Sequence, residues 1–247
     1  MTVALVTGAG QGMGAAIATR LADGGADVAV NDLVAANADA VAARIGGRSY
    51  PFDVADPEAA TTAVAAIEAD LGPIDVLVAN HAYMTMAPFE ETSAAEWART
   101  IGVNLLGTAT LLELTAPGMA ARGFGRIVVI ASEWGVTGWP NATPYAASKG
   151  GLISLVKSAA RALGPRGVAV NAIAPGITDT PQLQVDADDA GISLAEMISR
   201  YAADIPLGRV GRPEDIAETV AFLCSAEAIA LVGQVLQPNG GTTRAGV

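Results

Sequence analysis

The sequence is poor in the side chains that build metal sites and covalent nucleophiles. Its 247 residues include one cysteine, Cys224, and one histidine, His81. One of each cannot form an internal disulfide or the usual zinc sites, and the chain lacks the Gly-x-Ser-x-Gly pattern of serine hydrolases. We therefore expect no metal and no acyl-transfer chemistry. A lone thiol, typical of a reducing compartment, predicts a cytoplasmic location.

Basic residues are also scarce. Lys and Arg total 14 against 25 Asp and Glu, a formal net charge of -11. Such an acidic chain repels phosphate backbones and anionic lipid, so nucleic acid and membranes are not expected as partners. No apolar run reaches the length of a membrane span, and no basic residue precedes the apolar start as it would in a signal peptide. With 51% hydrophobic residues, the chain is expected to form one domain over residues 1–247.

Short apolar runs alternate with longer helical stretches, which predicts a doubly wound, Rossmann-type parallel α/β sheet of about seven strands with helices on both faces. The predicted strands are Val3–Thr7, Asp27–Asn31, Arg48–Phe52, Asp75–Ala79, Arg126–Ala131, Val168–Ile173 and Gln234–Gln237. Helices are predicted to begin near Gly12, Val34, Pro57, Ala94, Pro144 and Pro213. The three prolines suit the first turn of a helix, so the residue before each is the predicted N-cap: Asp56, Thr143 and Arg212.

A long segment interrupts this alternation after the sixth strand. Residues 176–212 fall at the edge where such sheets bind ligands, so we expect a substrate loop or lid, with a short helix over Ser193–Ala202.

A glycine-rich turn joins the first strand to the first helix. Gly8, Gly10, Gly12 and Gly14 let the backbone approach a phosphate, which the positive end of the helix attracts. The register is ambiguous, because Gly10-x-Gly12-x-x-Ala15 also fits a dinucleotide fingerprint. Asp32 ends the second strand, where a carboxylate binds ribose hydroxyls and repels a 2′-phosphate, so NAD is expected over NADP.

One of only two lysines, Lys149, stands four residues after Tyr145. At this spacing both side chains share one helical face, and an ammonium near a phenol favours the phenolate. The pair predicts a tyrosine whose pKa is lowered so that it can exchange a proton near neutrality.

Taken together, these motifs resemble the short-chain dehydrogenase/reductase family over essentially the whole chain. The family pattern Thr-Gly-x-x-x-Gly-x-Gly matches Thr7 to Gly14, and Tyr-x-x-x-Lys matches Tyr145 and Lys149. Ser132, after the fifth strand, and Asn104 match the family's other two site residues. The resemblance implies a homotetramer and an oxidoreductase.

The resemblance implies four catalytic residues. Tyr145 is expected to be the general acid/base, Lys149 to lower its pKa and bind ribose, Ser132 to hold the substrate oxygen, and Asn104 to position a water. The same resemblance implies these further cofactor-binding residues: Gly8, Gln11, Gly12, Met13, Gly14, Asp53, Val54, Asn80, Pro175, Gly176, Thr178 and Thr180.

The segment Ala79-Asn80-His81-Ala82 departs from the family's Asn-Asn-Ala-Gly. Ala82 replaces a glycine, and His81 stands where the family has alanine. His81 is expected either to contact the substrate or to be a loop histidine bonded to the backbone.

Apolar side chains around the predicted site favour a secondary alcohol or ketone, apolar and possibly cyclic, as the small-molecule substrate. The candidate wall residues are Tyr83, Met84, Met86, Trp134, Trp139, Leu183 and Met197, which could equally pack a lid or a subunit interface. The acidic late segment disfavours phosphorylated and CoA-linked substrates. A 3-oxoacyl-thioester reductase and a non-catalytic NAD-binding regulator remain alternatives.

Overall fold

A computed structural model describes residues 2–243, so Met1 and residues 244–247 of the expected domain lie outside it. Its sheet is parallel throughout, in the order β3-β2-β1-β4-β5-β6-β7. The strands are β1 (Val3–Val6), β2 (Asp27–Val30), β3 (Arg48–Ser49), β4 (Val76–Ala79), β5 (Gly125–Ile130), β6 (Val168–Ile173) and β7 (Val235–Leu236). The strand order reverses between β1 and β4, which creates a crevice at their carboxyl ends. The doubly wound α/β prediction is confirmed.

Helices cover both faces of this sheet. They are α1 (Gly12–Asp23), α2 (Ala35–Ile45), α3 (Pro57–Leu71), α4 (Ala94–Ile101), α5 (Gly107–Arg122), α6 (Trp134–Thr137), α7 (Thr143–Leu163), α8 (Pro181–Asp189), α9 (Leu194–Ala203) and α10 (Pro213–Cys224). A π-helical segment, Gly102–Leu106, joins α4 to α5. None of the helices described is both long and apolar enough to cross a membrane.

The central strands are apolar at every position because both of their faces are buried. In β1, Leu5 packs in the layer that α3, α5 and α7 cover, whereas Ala4 and Val6 pack in the layer that α1, α2 and α10 cover. Burying each large aliphatic side chain contributes about 1.5–3 kcal/mol. Alternating residues thus tie both helical layers to one sheet, and this sheet holds the crevice in place.

The edge strand β3 is shorter than predicted, two residues rather than Arg48–Phe52. Pro51 has no N–H for a ladder bond, and the side-chain amide of Asn31 donates instead to the carbonyls of Tyr50 and Phe52, at 3.2 and 3.0 Å. The side chain of Asn31, the residue directly after β2, therefore replaces the backbone pairing at this edge. Most other predicted strands end one residue early, and Val168–Ile173 is confirmed.

Two of the three predicted N-caps are confirmed. Asp56 accepts bonds from the backbone of Glu58 and Ala59, and Arg212 precedes α10, its N–H bonded to Asp215. Thr143 as an N-cap is wrong, because α7 starts one residue earlier, at Thr143 itself, and Ala142 supplies no capping side chain. Asn141, with φ 63°, turns the chain into this helix in the left-handed conformation that asparagine tolerates.

The segment 176–212 is more ordered than the predicted loop with one short helix. It contains both α8 and α9, with α9 starting at Leu194 behind a capping Ser193. Helix α8 could not be predicted from hydrophobic periodicity, because only two of its residues, Leu183 and Ala187, are buried, and they form a single i, i+4 pair.

Candidate active site

Ser132 and Tyr145 line one cavity of about 230 Å³ at the carboxyl edge of the sheet. Ser132 follows β5, where the amide of Trp134 donates to its Oγ at 3.2 Å, and Tyr145 stands in the first turn of α7. The Trp134 ring meets the Tyr145 ring edge-on, with 6.0 Å between centroids, and stacks on Trp139 at 4.9 Å. The two hydroxyls that the sequence assigned to one site therefore share one cavity.

Lys149 lies behind Tyr145, one helical turn further along α7. It is 1% exposed, its Nζ donates to the carbonyl of Ile130 at 2.7 Å, and that nitrogen is 5.5 Å from the centroid of the Tyr145 ring. The short helix α6 packs tightly over this point: a Cβ on Gly135 would come within 2.7 Å of the Lys149 backbone. Gly135 is thus a supporting residue that sequence reasoning missed.

Asn104 lies in the π-helical segment, fully buried. Its Oδ1 accepts from the amide of Tyr83 at 2.7 Å, and its Nδ2 donates to the carbonyl of Tyr83 at 3.0 Å and to Ser148 Oγ at 2.9 Å. Ser148 in turn donates to the carbonyl of Tyr145 at 2.7 Å. The Asn104 side chain therefore ties the chain after β4 to α7, and its predicted contact with a water stays a prediction.

The glycine turn, Thr7–Gly14, is held from both sides. The Asn80 side-chain amide donates to the carbonyls of Thr7 and Gly8, at 3.2 and 2.9 Å, and Asp32 accepts from the amide of Gly10 at 2.9 Å. Gly8 adopts φ +58°, and a Cβ on Gly14 would lie 2.0 Å from the Gly8 carbonyl oxygen. The structure thus requires glycine at 14 for close packing within the turn itself.

The remaining predicted cofactor residues fall into two groups. Pro175, Gly176, Thr178 and Thr180, together with Met13, line the cavity beside Ser132 and Tyr145. Asp53 caps a turn after β3 by accepting from the amide of Ala55, while the side chain of Val54 is buried in the core. Gln11 is exposed at the start of α1.

The chain was compared with known families and structures. The model of a family described as enoyl-(acyl carrier protein) reductase matches residues 8–243. The chain is 39% identical over 247 residues to cis-4-hydroxycyclohexanecarboxylate dehydrogenase of Sinomonas cyclohexanicum, covering 98% of this chain and 96% of that one. It is 37% identical over 242 residues to acetoacetyl-CoA reductase of Rhizobium meliloti, covering 97% of each. A variant of actinorhodin polyketide ketoreductase crystallised with NADPH superposes with a TM-score of 0.93 at 32% identity, covering 98% of this chain and 97% of that one.

The chain belongs to the short-chain dehydrogenase/reductase family. Membership implies an oxidoreductase that uses a nicotinamide cofactor. Ser132 and Tyr145 line one cavity, and Lys149 lies directly behind the phenol, an arrangement that agrees with such a chemistry.

The turn fits the dinucleotide that this family binds. The first amides of α1 receive no capping side chain, so they can donate to a phosphate. Asn80 Oδ1 is buried beside the turn and has no hydrogen-bond partner among the described residues. Thr7–Gly14, Asp32 and Asn80 would hold the adenosine and phosphates, and Lys149 and Pro175–Thr180 the nicotinamide end.

The electrostatics of the Tyr145–Lys149 pair differ from the prediction. Burial raises the pKa of Tyr145 to about 12, against the opposing influence of the Ser132 hydroxyl, and burial lowers the pKa of Lys149 to about 7. For the polypeptide alone, the predicted acidification of the phenol by Lys149 is therefore wrong, because loss of water penalises both charged forms.

The predicted substrate wall is confirmed in part. Met84, Trp134 and Leu183 line the cavity. Tyr83 does not: its hydroxyl bonds to Glu96, and Arg99 stacks on its ring. The other three predicted wall residues, Met86, Trp139 and Met197, also fall outside the lining.

Sequence reasoning missed three polar residues that line the cavity, Glu133, Gln182 and Asp186. Glu133 follows Ser132 directly; it is buried, which raises its pKa, and it accepts a bond from Thr242 at 2.6 Å. Its place next to the predicted serine was the available signal. Gln182 and Asp186 belong to α8, which the sequence did not reveal.

His81 does not reach the cavity. The ring is buried, and its two nitrogens contact the side chains of Thr7 and Thr108. The predicted alternative of a substrate contact is therefore wrong. The alternative of a loop histidine bonded to the backbone is confirmed by its bond with the Val103 carbonyl, whereas the two threonine contacts were not predicted.

Proposed function

We propose that the protein is an NAD(H)-dependent dehydrogenase that interconverts an uncharged secondary alcohol and its ketone. The observation that carries this proposal is the shared cavity of Ser132 and Tyr145, with Lys149 directly behind the phenol. A non-catalytic NAD-binding regulator has no use for such a set of side chains.

In the direction of ketone reduction, Tyr145 Oη donates a proton to the carbonyl oxygen, and the Ser132 hydroxyl stabilises the charge that develops there. When bound, the nicotinamide would supply or accept the hydride, and its oxidised form would add a positive charge to the site. Lys149, with its pKa lowered to about 7, can exchange a proton near neutrality. Alcohol oxidation is the reverse step, in which Tyr145 starts as the phenolate and accepts the proton of the alcohol.

Preference for NAD rests on Asp32. Its carboxylate is fixed at the carboxyl end of β2 by the amides of Gly10 and Val34, both at 2.9 Å. No Lys or Arg stands in the turn or directly after Asp32 to bind a 2′-phosphate. A fixed negative charge at this point repels that phosphate and accepts bonds from ribose hydroxyls.

The cavity lining supports an uncharged, cyclic substrate. Its charged residues among those described are Glu133 and Asp186, both acids, and its large apolar residues are Met13, Met84, Trp134, Ile177 and Leu183. One relative is named for a cyclic secondary alcohol that carries a carboxylate. We expect the present cavity to accept the ring and to disfavour the carboxylate.

Reduction of a 3-oxoacyl thioester is the second candidate, favoured by the acetoacetyl-CoA reductase relative. The acids of the cavity and of α8 argue against a CoA-linked substrate, since its phosphates would meet like charges.

One experiment separates these candidates. Cyclohexanols with neutral or carboxylate substituents, their ketones, and acetoacetyl-CoA are offered with NAD(H) and with NADP(H), and the absorbance of the reduced nicotinamide is followed. We expect the highest kcat/KM for a neutral cyclic alcohol with NAD. Faster turnover of acetoacetyl-CoA would select the second candidate.

The association state is a further part of the proposal. We propose a homotetramer in which α4, α5 and α7 pair across twofold axes, supported by the exposed Leu106 between α4 and α5. Light scattering on the purified protein tests this, and a monomer would refute it.

A further inference from the structure

The single histidine bridges two distant parts of the site. His81 Nδ1 lies 2.7 Å from Thr7 Oγ1, at the start of the glycine turn, and Nε2 lies 3.3 Å from Thr108 Oγ1, just beyond the π-helical segment. The ring is 8% exposed, and a Cβ on Gly8 would come within 2.9 Å of its Cα. The imidazole therefore fills the space between the turn and the segment that carries Asn104.

The neighbouring bonds determine which nitrogen carries the proton. Thr108 Oγ1 donates its one proton to the carbonyl of Asn104 at 2.8 Å, so it can only accept from His81. Nε2 is then the donor. A neutral imidazole has one N–H, so Nδ1 accepts the proton of Thr7, from which it lies 2.7 Å, against 3.4 Å for the hydroxyl's other acceptor, the Val78 carbonyl. The Thr7 oxygen in turn accepts from the amide of Asn80 at 3.1 Å. The bonds form one directed chain from Asn80 to the Asn104 carbonyl.

The surroundings keep the ring neutral. Burial first, and then the charge of Lys149 on α7, lower the pKa of His81 to about 3, and the Val103 carbonyl acts in the opposite direction. Among the described residues, Lys149 is the charged group whose field reaches the ring. A protonated ring would make Nδ1 a donor to Thr7 Oγ1, and the Thr7 hydroxyl would have to turn its proton to the Val78 carbonyl, 3.4 Å away.

The chain ends on a residue that sets the geometry of the site. Asn104 binds both the amide and the carbonyl of Tyr83, and through Ser148 it reaches the carbonyl of Tyr145. A change in the separation of Thr7 and Thr108 is thus passed to the first turn of α7.

We propose that His81 is a positioning residue: as the Nε2–H tautomer, it sets the distance from the glycine turn to Asn104 and thereby aligns Tyr145 with the dinucleotide site. The inference rests on the proposed function only for its kinetic test, because the tautomer can be read without turnover.

The first test is ¹⁵N NMR of the ring in the full-length protein, where one histidine gives an unambiguous signal. We expect a protonated Nε2 and an unprotonated Nδ1, unchanged from pH 5 to pH 8. An Nδ1–H tautomer, or titration near the ordinary histidine value of about 6.5, would overturn the proposal whatever the enzyme turns over.

The second test substitutes Thr108, so that the His81 ring itself is unchanged. Thr108→Val removes the acceptor for Nε2–H at nearly constant volume, whereas Thr108→Ser retains it. We expect kcat to fall about tenfold in the valine variant and to stay within about twofold in the serine variant, with the NADH dissociation constant changed less than about threefold in both. Equal kcat values for the two variants would contradict the positioning role.

His81→Ala completes a double-mutant cycle with Thr108→Val. If both act through one chain, the double variant has the kcat of His81→Ala alone. If the fold-losses in kcat of the two single variants multiply in the double variant, the two residues act independently, which would overturn the proposal. If His81→Ala does not fold, the Thr108 pair and the NMR result decide.

Discussion

The glycine turn, Thr7–Gly14, and the segment 176–212 meet at the cavity but are built by different means. At their point of contact, a Cβ on Gly12 would lie 3.5 Å from Thr180 and Pro181. The turn packs on its own backbone so closely that Gly14 has no room for one carbon atom, and the side chains of Asn80 and Asp32 hold it from outside. What it presents to a ligand is backbone. The late segment instead presents the side chains of Gln182, Leu183 and Asp186 on a helix.

Because of this difference, the two regions tolerate different substitutions and suit different ligands. Backbone contacts do not depend on side-chain identity, so the turn suits a ligand that stays the same, the dinucleotide. Side chains on α8 can be exchanged without moving the backbone, so the late segment suits a ligand that differs among relatives, the substrate. Substitutions in the turn should be severe and general, and those on α8 mild and specific to a substrate.

The largest effect is expected from Gly14→Ala. The added carbon would lie 2.0 Å from the Gly8 carbonyl and 2.6 Å from the Asn80 amide, so the turn must open. We expect a loss of about 3 kcal/mol in the free energy of unfolding and no measurable NADH binding. Urea unfolding and NADH fluorescence measure these. Gly102→Ala, whose Cβ meets no atom within 4 Å, is the control, and equal effects of both variants would break the comparison.

The second prediction concerns the choice of cofactor. Asp32→Asn with Leu33→Arg removes the repelling charge, keeps an acceptor for the amide of Gly10, and adds a cation. We expect the kcat/KM ratio of NADP to NAD to rise about a hundredfold. Leu33→Arg alone, which keeps the carboxylate, should shift the ratio far less. An unchanged ratio in the double variant would show that Asp32 only braces the turn.

The third prediction concerns Lys149, on the helix between the two regions. The pKa of Lys149 falls from 10.5 to about 7 on folding, so between these values the unfolded chain binds a proton that the folded chain does not. The resulting penalty is complete below pH 7 and is relieved as pH rises. Relative to Lys149→Met, the wild type should therefore gain about 3 kcal/mol from pH 7 to pH 9.5. Urea unfolding at both values measures it.

The exposed Lys157 provides the control for this pH dependence. Lys157→Met should show the pH profile of the wild type. If Lys149→Met also shows it, Lys149 titrates normally in the folded protein and the assigned burial effect is contradicted.

The smallest effect is expected in the late segment. Asp186→Asn removes a negative charge from the cavity lining at constant size. We expect kcat/KM for a carboxylate-bearing cyclohexanol to rise about threefold, with neutral cyclohexanols unchanged. Asp188→Asn, on the same helix but outside the lining, should change neither. If Asp186→Asn instead lost activity toward all substrates, α8 would be as intolerant of substitution as the glycine turn, and the comparison would fail.

The fold was largely predictable because its signals are local. Apolar strands, proline at helix starts and glycine at the first turn each reflect constraints within a few residues. The features that were not predicted depend on residues far away in the sequence. The length of β3 is set by Asn31, directly after the neighbouring strand β2, and α8 is stabilised by burying Leu183 and Ala187 against the rest of the protein.

The site divides in the same way. Ser132, Tyr145 and Lys149 could be predicted from spacing and resemblance, and the structure brings them together. The pKa values could not, because they depend on how much water the folded chain excludes. The partners of His81 could not either, since Thr7 and Thr108 are brought to the ring only by the pairing of β1 with β4 and by the packing of the π-helical segment.

The central claim is that the Tyr145 phenol transfers the proton that accompanies hydride transfer. Tyr145→Phe removes one oxygen atom, so the measurement compares kcat on the best alcohol with the dissociation constant of NADH in the same preparation. We predict a fall in kcat of at least about a thousandfold with NADH affinity within about threefold of the wild type. A variant that binds NADH normally and keeps a tenth or more of wild-type kcat would contradict the account.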